Sequence, residues 1–191
     1  MRGVRESGLA VCCKHFPGDG IEELDQHLVM GVNTMECDEW DSTFGHVYKE
    51  MIDSGIQSIM AGHIALPEYS RKLRPGIKDE DIMPATLAPE LITDLLRGKL
   101  GFNGLVLTDA SHMAGMTAAM PRSQQVPGAI AAGCDMFLFF NDIEEDFGYM
   151  MDGYRNGIIT EERLTDALRR ILGLKASLKL HEKKKEGYAD T

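Results

Sequence analysis

Four short apolar runs, separated by helical patterns, constrain the fold of this chain more than any other feature. None of the runs alternates cleanly between apolar and polar residues. They occupy residues 9–16, 57–62, 104–109 and 134–140. A near-continuous apolar strand suits a sheet that is covered on both faces, and such sheets are mostly parallel. The runs therefore predict four buried, parallel strands.

Helical patterns follow each of these runs. They cover residues 43–53, 88–100, 124–132 and 143–155, and a last helix that begins after Thr160. Thr160 is a candidate N-cap for this last helix. One face of the last helix is apolar and carries Leu164, Ala167, Leu168, Ile171 and Leu172. Strands that alternate with helices predict a parallel α/β sheet with right-handed crossovers.

Two layouts fit this alternation, a doubly wound open sheet and part of a (β/α)8 barrel. A whole barrel typically needs ~250 residues, whereas this chain has 191 residues and four strand-helix units. The barrel layout therefore predicts half a barrel, in one domain over residues 1–180 without an interdomain linker. Residues 181–191 read as a charged tail that frays in solvent.

Charge and composition exclude several classes of protein. The net charge of −10 argues against a nucleic-acid partner, because such partners select basic surfaces. No run approaches the roughly 18 apolar residues of a membrane span, and residues 1–7 lack the apolar core of a secretory signal. We therefore expect a cytoplasmic protein with no membrane partner. The chain has four cysteines, Cys12, Cys13, Cys37 and Cys134, and none of them forms a C-x-x-C pair. We therefore expect reduced, buried thiols and no metal site.

Polar side chains cluster where the predicted strands end, as they do at the active-site end of barrel enzymes. The first strand ends in Lys14 and His15, and a loop with Asp19, Asp25 and His27 follows. The other strands end in His63, in Asp109 with Ser111 and His112, and in Asn141 with Asp142. A structural protein has no reason to gather so many polar groups at one rim, so the pattern favours an enzyme.

The residues alone leave the role of each group open. Asp109 follows an apolar strand, so its carboxylate suits either a nucleophile or an N-cap. Asp25 and His27 have the i, i+2 spacing of a proton-transfer dyad, although such spacing is common in surface loops. Lys14 and His15 suit either a ligand site or a salt bridge beside a packed histidine. Neither H-x-H nor H-E-x-x-H occurs, so a metal-dependent hydrolase has little support.

Taken together, these segments resemble glycoside hydrolase family 3, and within it the β-N-acetylglucosaminidases. The longest matching motif runs from Lys14 to Gly20 and continues in Asp25-x-His27. Residues 59–67 resemble the next strand and loop of the family, 101–110 the nucleophile strand, 129–136 the last barrel strand and 169–172 the closing helix. The D-x-H loop indicates the N-acetylglucosaminidase branch, because the β-glucosidases of the family lack it.

This resemblance implies a retaining hydrolase of terminal β-linked N-acetylglucosamine, in carbohydrate metabolism, without a cofactor. Asp109 matches the nucleophile that forms a covalent glycosyl intermediate. His27 matches the general acid/base, polarised by Asp25, and Lys14 and His15 match residues that bind sugar hydroxyls. Phosphorolysis, with phosphate in place of water, is the related alternative. The resemblance thus implies a small carbohydrate as the partner.

The chain departs from the family pattern in two residues and in length. Asp19 stands where a second histidine is common, and Gln26 where serine is common. The matched segments correspond to barrel strands five to eight, the C-terminal half. We therefore expect either a fragment of a longer enzyme or two copies that cover each other's open edges. Alone, the chain is expected to be poorly active, and a non-catalytic half-barrel is a further alternative.

Overall fold

Four strands form one parallel sheet in the computed structural model, which describes residues 2–22, 25 and 28–182. A second, two-stranded parallel sheet lies beside it and pairs β2 with β4. In chain order the strands are β1 (Cys12–Phe16), β2 (Gly31–Val32), β3 (Ser58–Ala61), β4 (Ile64–Ala65), β5 (Leu105–Ala110) and β6 (Met136–Leu138). The four predicted strands are confirmed, and the two-residue strands are additions.

The order of strands in the larger sheet decides between the two layouts. It runs β1-β3-β5-β6, so each strand lies beside the next one along the chain. A doubly wound sheet reverses its strand order partway across, and this sheet does not. Successive parallel neighbours are the arrangement of a barrel wall. The described strands therefore form half of a (β/α)8 barrel.

Helices connect the strands close to where the sequence predicts them. The α-helices are α1 (Arg2–Glu6), α2 (Cys37–Trp40), α3 (His46–Asp53), α4 (Pro67–Leu73), α5 (Ala114–Thr117), α6 (Arg122–Ala132), α7 (Ile143–Arg155) and α8 (Glu161–Ser177). A π-helical segment, Asp41–Gly45, joins α2 to α3, and a second one spans Glu90–Lys99. Short 3-10 turns occur at Asp79–Asp81 and Ala85–Leu87. The short helices α1, α2, α4 and α5 were not expected.

Side-chain caps fix the starts of the last two helices. The Asp142 carboxylate accepts hydrogen bonds from the amides of Glu144 and Glu145, both at 2.9 Å. The Thr160 hydroxyl accepts one from the Arg163 amide at 3.1 Å, as its N-cap prediction requires. Each cap satisfies amides that have no partner within the helix and contributes about 1 kcal/mol.

The main core lies between the sheet and the helices on its outer face. Ile59 and Val106 point into this core and are fully buried, together with Leu91 and Leu95 of the second π-helical segment. The alternate residues of the strands face the other way and are only partly buried, namely Met60, Leu107, Met136 and Leu138. This half-covered inner face is the one that the half-barrel layout predicts.

Two expectations about side-chain burial are wrong in part. Cys134 is buried as predicted, and burial raises the pKa of its thiol to about 12. Cys12 is exposed, because β1 pairs with a single neighbour in the described sheet and its inner face is uncovered. On α8, Ala167 is buried, whereas Leu168 and Leu172 of the predicted apolar face are exposed.

A buried carboxylate ties α8 to the amino-terminal end of the sheet. The Asp135 side chain is fully buried and accepts hydrogen bonds from three arginines, Arg97 at 2.8 Å, Arg170 at 3.4 Å and Arg163. It also accepts from the Val106 amide at 2.9 Å. One buried anion that satisfies three cations holds together three separate parts of the chain.

Candidate active site

The carboxyl ends of β1 and β5 bring His15 and Asp109 together. The His15 Nε2 atom lies 3.4 Å from Asp109 Oδ2. Its other ring nitrogen, Nδ1, lies 3.2 Å from Asp19 Oδ2. The side chains of His15 and Asp109 are 20% and 14% exposed, so a small ligand can reach both. Three of the polar groups singled out in the sequence thus form one cluster.

The backbone around Asp109 holds its carboxylate in place. Asp109 is the fifth residue of β5, and its Oδ1 atom accepts a hydrogen bond from the Ala110 amide at 2.7 Å. The other carboxylate oxygen, Oδ2, faces His15. A carboxylate that is fixed by a strand and still reachable suits nucleophilic attack. The alternative is a cap for the turn that follows. The contact differs from a cap, because Oδ1 accepts from the amide of the next residue rather than from the second or third residue along.

The loop that follows β1 is fixed by contacts to three other elements. The Trp40 indole N–H donates to the Pro17 carbonyl at 2.7 Å, and Asn33 Nδ2 donates to the Gly18 carbonyl at 3.4 Å. Gly18 has a φ of +132°, and a Cβ there would lie 2.5 Å from the Phe44 ring. Glycine is therefore required at this position by both backbone and space.

His63 is a buried connector between the ends of β3 and β5. Its Nε2 atom lies 3.0 Å from the Ala110 carbonyl and its Nδ1 atom 2.8 Å from Thr86 Oγ1. Burial lowers the pKa of His63, so its ring is neutral at neutral pH. Because a carbonyl only accepts, the proton of the neutral ring lies on Nε2. The Thr86 hydroxyl lies within hydrogen-bond distance of both His63 Nδ1, at 2.8 Å, and the Gly62 carbonyl, at 2.9 Å. His63 thus fixes the peptide next to Asp109.

The end of β6 carries a network that sequence reasoning missed. The Ser111 hydroxyl donates to the Phe139 carbonyl, and Arg122 donates to Ser111 Oγ at 2.8 Å. The same Arg122 forms a two-point contact with Asp146, with its Nε atom 2.8 Å from Oδ1. Hydrogen bonding to Arg122 lowers the pKa of the Asp146 carboxyl. An arginine and an aspartate 24 positions apart leave no local pattern from which this contact could be found.

The remaining predicted residues are exposed or lie outside the described part of the chain. Lys14 is exposed. Asp25 is exposed, and its backbone carbonyl accepts from the amides of Leu28 and Val29 at 2.9 and 3.1 Å. His27 lies outside the described residues, so the proposed Asp25–His27 dyad stays a prediction. The ring of His112 stacks on Phe139 with centroids 6.2 Å apart.

The described ranges, 2–22, 25 and 28–182, hold neither a metal-binding cluster nor a membrane-spanning helix. They contain no group of three or more His, Cys, Asp or Glu side chains that could hold a metal ion. No helix within them has the length and apolar character needed to cross a membrane.

Half of a (β/α)8 barrel with a fixed carboxylate at its strand ends is the framework of a barrel glycosidase. The chain belongs to glycoside hydrolase family 3, because the model of the glycosyl hydrolase family 3 N terminal domain matches residues 1–174. The family predicted from the sequence is thereby confirmed.

The chain is similar to known proteins in both sequence and structure. The chain is 58% identical over 181 residues to a β-N-acetylglucosaminidase/β-glucosidase of Cellulomonas fimi, over 95% of this chain and 32% of the relative. It is 33% identical over 141 residues to a β-hexosaminidase of Methylobacillus flagellatus, over 74% of this chain and 37% of the relative.

Two solved structures are also similar. The β-glucoside phosphorylase BglX bound to 2FGlc matches with a TM-score of 0.94 and 45% identity, over 96% of this chain and 33% of that protein. A family 3 β-N-acetylglucosaminidase from Paenibacillus sp. str. FPU-7 matches with a TM-score of 0.84 and 28% identity, over 100% of this chain and 34% of that protein. The chain therefore spans about a third of the length of these relatives.

Proposed function

We propose that this chain carries the nucleophile of a retaining glycosidase that removes terminal β-linked N-acetylglucosamine. The observation that carries the proposal is the position of Asp109. Its Oδ1 is held by the Ala110 amide at 2.7 Å, and its Oδ2 faces His15 in a partly exposed site. Catalytic groups of barrel enzymes lie at the carboxyl ends of the strands, and Asp109 occupies such an end.

The reaction proceeds in two displacements at the anomeric carbon. In the first, Asp109 Oδ2 forms a bond to this carbon, and the bond to the leaving oxygen breaks with its electron pair. The leaving oxygen takes a proton from His27. In the second, water attacks the same carbon, the bond to Asp109 breaks, and His27 takes the proton of the water. Two inversions give net retention.

The proposed roles of the other residues come from the family resemblance. His27 is the acid/base, and a carboxylate beside an imidazole favours its protonated, donating form. Asp25 is proposed to supply that carboxylate. Lys14 and His15 are proposed to bind sugar hydroxyls, which suits an exposed cation and a partly exposed ring at the strand end.

The substrate class is proposed from the D-x-H loop and from the relatives. The names of the Cellulomonas fimi and Methylobacillus flagellatus proteins describe β-N-acetylglucosaminidase and β-hexosaminidase activities. Since the chain spans about a third of these relatives, the activity is proposed for the natural polypeptide that carries residues 1–191. A cytoplasmic location stays a prediction.

Turnover of an aryl N-acetyl-β-glucosaminide by this natural polypeptide tests the proposal. Asp109→Asn keeps the shape of the side chain and removes the nucleophile, so kcat/KM should fall by at least about 10³-fold. Asp166→Asn is the matched control, because Asp166 is an exposed carboxylate that pairs with Arg169 on α8. Proton NMR should show the β-anomer as the first product. Full activity of Asp109→Asn, or release of the α-anomer, would contradict the proposal.

Phosphorolysis is the second candidate, and the similarity to a β-glucoside phosphorylase at 45% identity favours it. In this reaction phosphate attacks the anomeric carbon, the bond to Asp109 breaks, and the product is a sugar 1-phosphate. A neutral imidazole as acid/base repels an anionic acceptor less than a carboxylate does. Product analysis with and without inorganic phosphate separates the two. Free sugar at an undiminished rate in excess phosphate supports hydrolysis, and sugar 1-phosphate supports phosphorolysis.

A further inference from the structure

The His15 ring lies between two carboxylates that belong to different elements. Asp19, four residues further along the loop, faces Nδ1 at 3.2 Å, and Asp109 on β5 faces Nε2 at 3.4 Å. Asp19 is 45% exposed, whereas the side chains of His15 and Asp109 are largely covered. The imidazole of His15 therefore links the exposed carboxylate of Asp19 to the largely covered carboxylate of Asp109.

The contact with Asp19 determines how the His15 ring is turned. A carboxylate oxygen only accepts hydrogen bonds, so His15 Nδ1 must donate its proton to Asp19. Turning the ring over would place a carbon atom at Asp19 and remove this bond. With Nδ1 held by Asp19, the opposite nitrogen, Nε2, faces Asp109. A carboxylate that orients an imidazole in this way is a common arrangement in active sites.

Each carboxylate oxygen of Asp109 has a contact among the described residues. Asp109 Oδ1 accepts a hydrogen bond from the amide of the next residue, Ala110. This local contact does not fix the direction of the second oxygen, Oδ2. Among the described residues, His15 Nε2 faces Oδ2 at 3.4 Å. Since a carboxylate oxygen only accepts, Nε2 orients Oδ2 by donating, which requires a proton on both ring nitrogens. The direction of the oxygen that attacks the sugar therefore depends on the position of the His15 ring.

The loop presents Asp19 to His15 in a defined way. The Gly18 amide donates to the His15 carbonyl at 2.9 Å, which closes a tight turn between the two side chains. The glycines on either side of Asp19 have φ values of +132° and +103°. Gly18 is held in place by Asn33 and packs on Phe44. The turn thus brings the Asp19 carboxylate back over the end of β1.

We propose that Asp19 is a positioning residue, which acts through His15 to orient the nucleophile Asp109. The proposal rests on the proposed function of Asp109. The family pattern commonly has histidine at this position, so the resemblance assigns no role to an aspartate here. Asp19 contributes more to the rate of glycosyl transfer than to sugar binding.

Labelling by a slow fluoro-sugar isolates this step, because it measures bond formation to Asp109 directly. The natural polypeptide that carries residues 1–191 is compared with Asp19→Ala and Asp19→Asn. Asp19→Ala should lower the maximal labelling rate by about 10- to 100-fold, since small misplacements of reacting groups have effects of this size. The half-saturating concentration should change by a smaller factor than the rate, because His15 is also proposed to bind sugar hydroxyls. Asp19→Asn should restore most of the rate, because its amide oxygen can accept the same hydrogen bond.

One control variant and three possible results decide whether the inference is wrong. Asp166→Ala removes a carboxylate of similar exposure, 39%, from α8 and should label at the wild-type rate. The inference fails if Asp19→Ala labels at the wild-type rate. It also fails if only the half-saturating concentration changes, which indicates a loop that merely supports binding. Equal losses in Asp19→Ala and Asp19→Asn would contradict an orienting hydrogen bond.

The same experiment distinguishes failure of this inference from failure of the proposed function. If the wild-type protein turns over substrate but carries no label on Asp109, the proposed nucleophile is wrong. The proposed role of Asp19 is then wrong as well. If Asp109 is labelled in the wild type and Asp19→Ala is unaffected, the proposed function stands and the positioning role alone is wrong.

Discussion

Asp109 Oδ2 lies 3.4 Å from His15 Nε2, across a strand of the sheet that separates β1 from β5. Neither residue is near the other in sequence. Parallel strands that end at the same edge bring them together, which is how barrel enzymes assemble a site from separate loops.

Asp135 should be the most sensitive charged position for stability. Asp135→Asn leaves three arginines without their shared buried anion, and removal of one partner from a buried ion pair costs about 3–5 kcal/mol. The free energy of unfolding, measured in urea, should fall by that amount. Asp166→Asn on the same helix is exposed and should change it little. A loss no larger than that of Asp166→Asn would contradict the structural role of Asp135.

Trp40→Phe should weaken the loop that carries His15. The substitution keeps an aromatic ring in the core and removes the indole N–H that donates to the Pro17 carbonyl. A buried carbonyl without its donor costs about 1–3 kcal/mol, and a less fixed loop should lower kcat/KM as well. Tyr48→Phe is the matched control, because Tyr48 packs in the same aromatic cluster. Equal activity in Trp40→Phe and wild type would contradict this role of the hydrogen bond.

His63 should make stability fall as the solution becomes acidic. Its pKa is lowered from 6.5 by burial, so the unfolded chain binds a proton at a pH where the folded chain does not. The full contribution is present above pH 6.5 and is lost as the pH falls towards the lower pKa of the folded state. His63→Gln should reduce this slope in unfolding measurements at several pH values. The exposed His112, changed to Gln, is the control, and an unchanged slope in His63→Gln would contradict the assignment.

The two edges of the sheet should make the purified 191-residue chain associate. β1 and β6 each pair with one neighbour among the described strands, and uncovered edges and apolar faces are association sites. Sedimentation velocity should therefore show concentration-dependent species larger than 21.1 kDa. Cys12→Lys places a charge on exposed edge strand β1 and should reduce association, whereas Val47→Lys on the outer helix α3 should not. A monomer at all concentrations would contradict this expectation.

The sequence predicted the parts of the fold that depend on local pattern. The continuous apolar runs at Ile59 and Val106 were sufficient to identify buried strands, and the cap at Thr160 identified the last helix. The two-residue strands β2 and β4 were missed because so short a segment has no periodicity to detect. The exposure of Cys12 was missed because it depends on which strand lies at the edge, which no single run can show.

For the candidate active site, the sequence indicated some of the residues but not the contacts between them. The motif from Lys14 to Gly20 and the strand before Asp109 identified the family and the nucleophile candidate. The contact of Asp19 with His15 and that of Arg122 with Asp146 were not foreseen. Both depend on the path of a loop or on contact between distant elements, and neither residue pair has a spacing that indicates chemistry by itself.

The position of the covalent label tests the central claim most directly. The natural polypeptide that carries residues 1–191 is treated with a slow fluoro-sugar, digested, and analysed by tandem mass spectrometry. The account predicts one added glycosyl group on the Asp109 carboxylate. A label on another carboxylate, or an unlabelled Asp109 in a protein that turns over substrate, would contradict it.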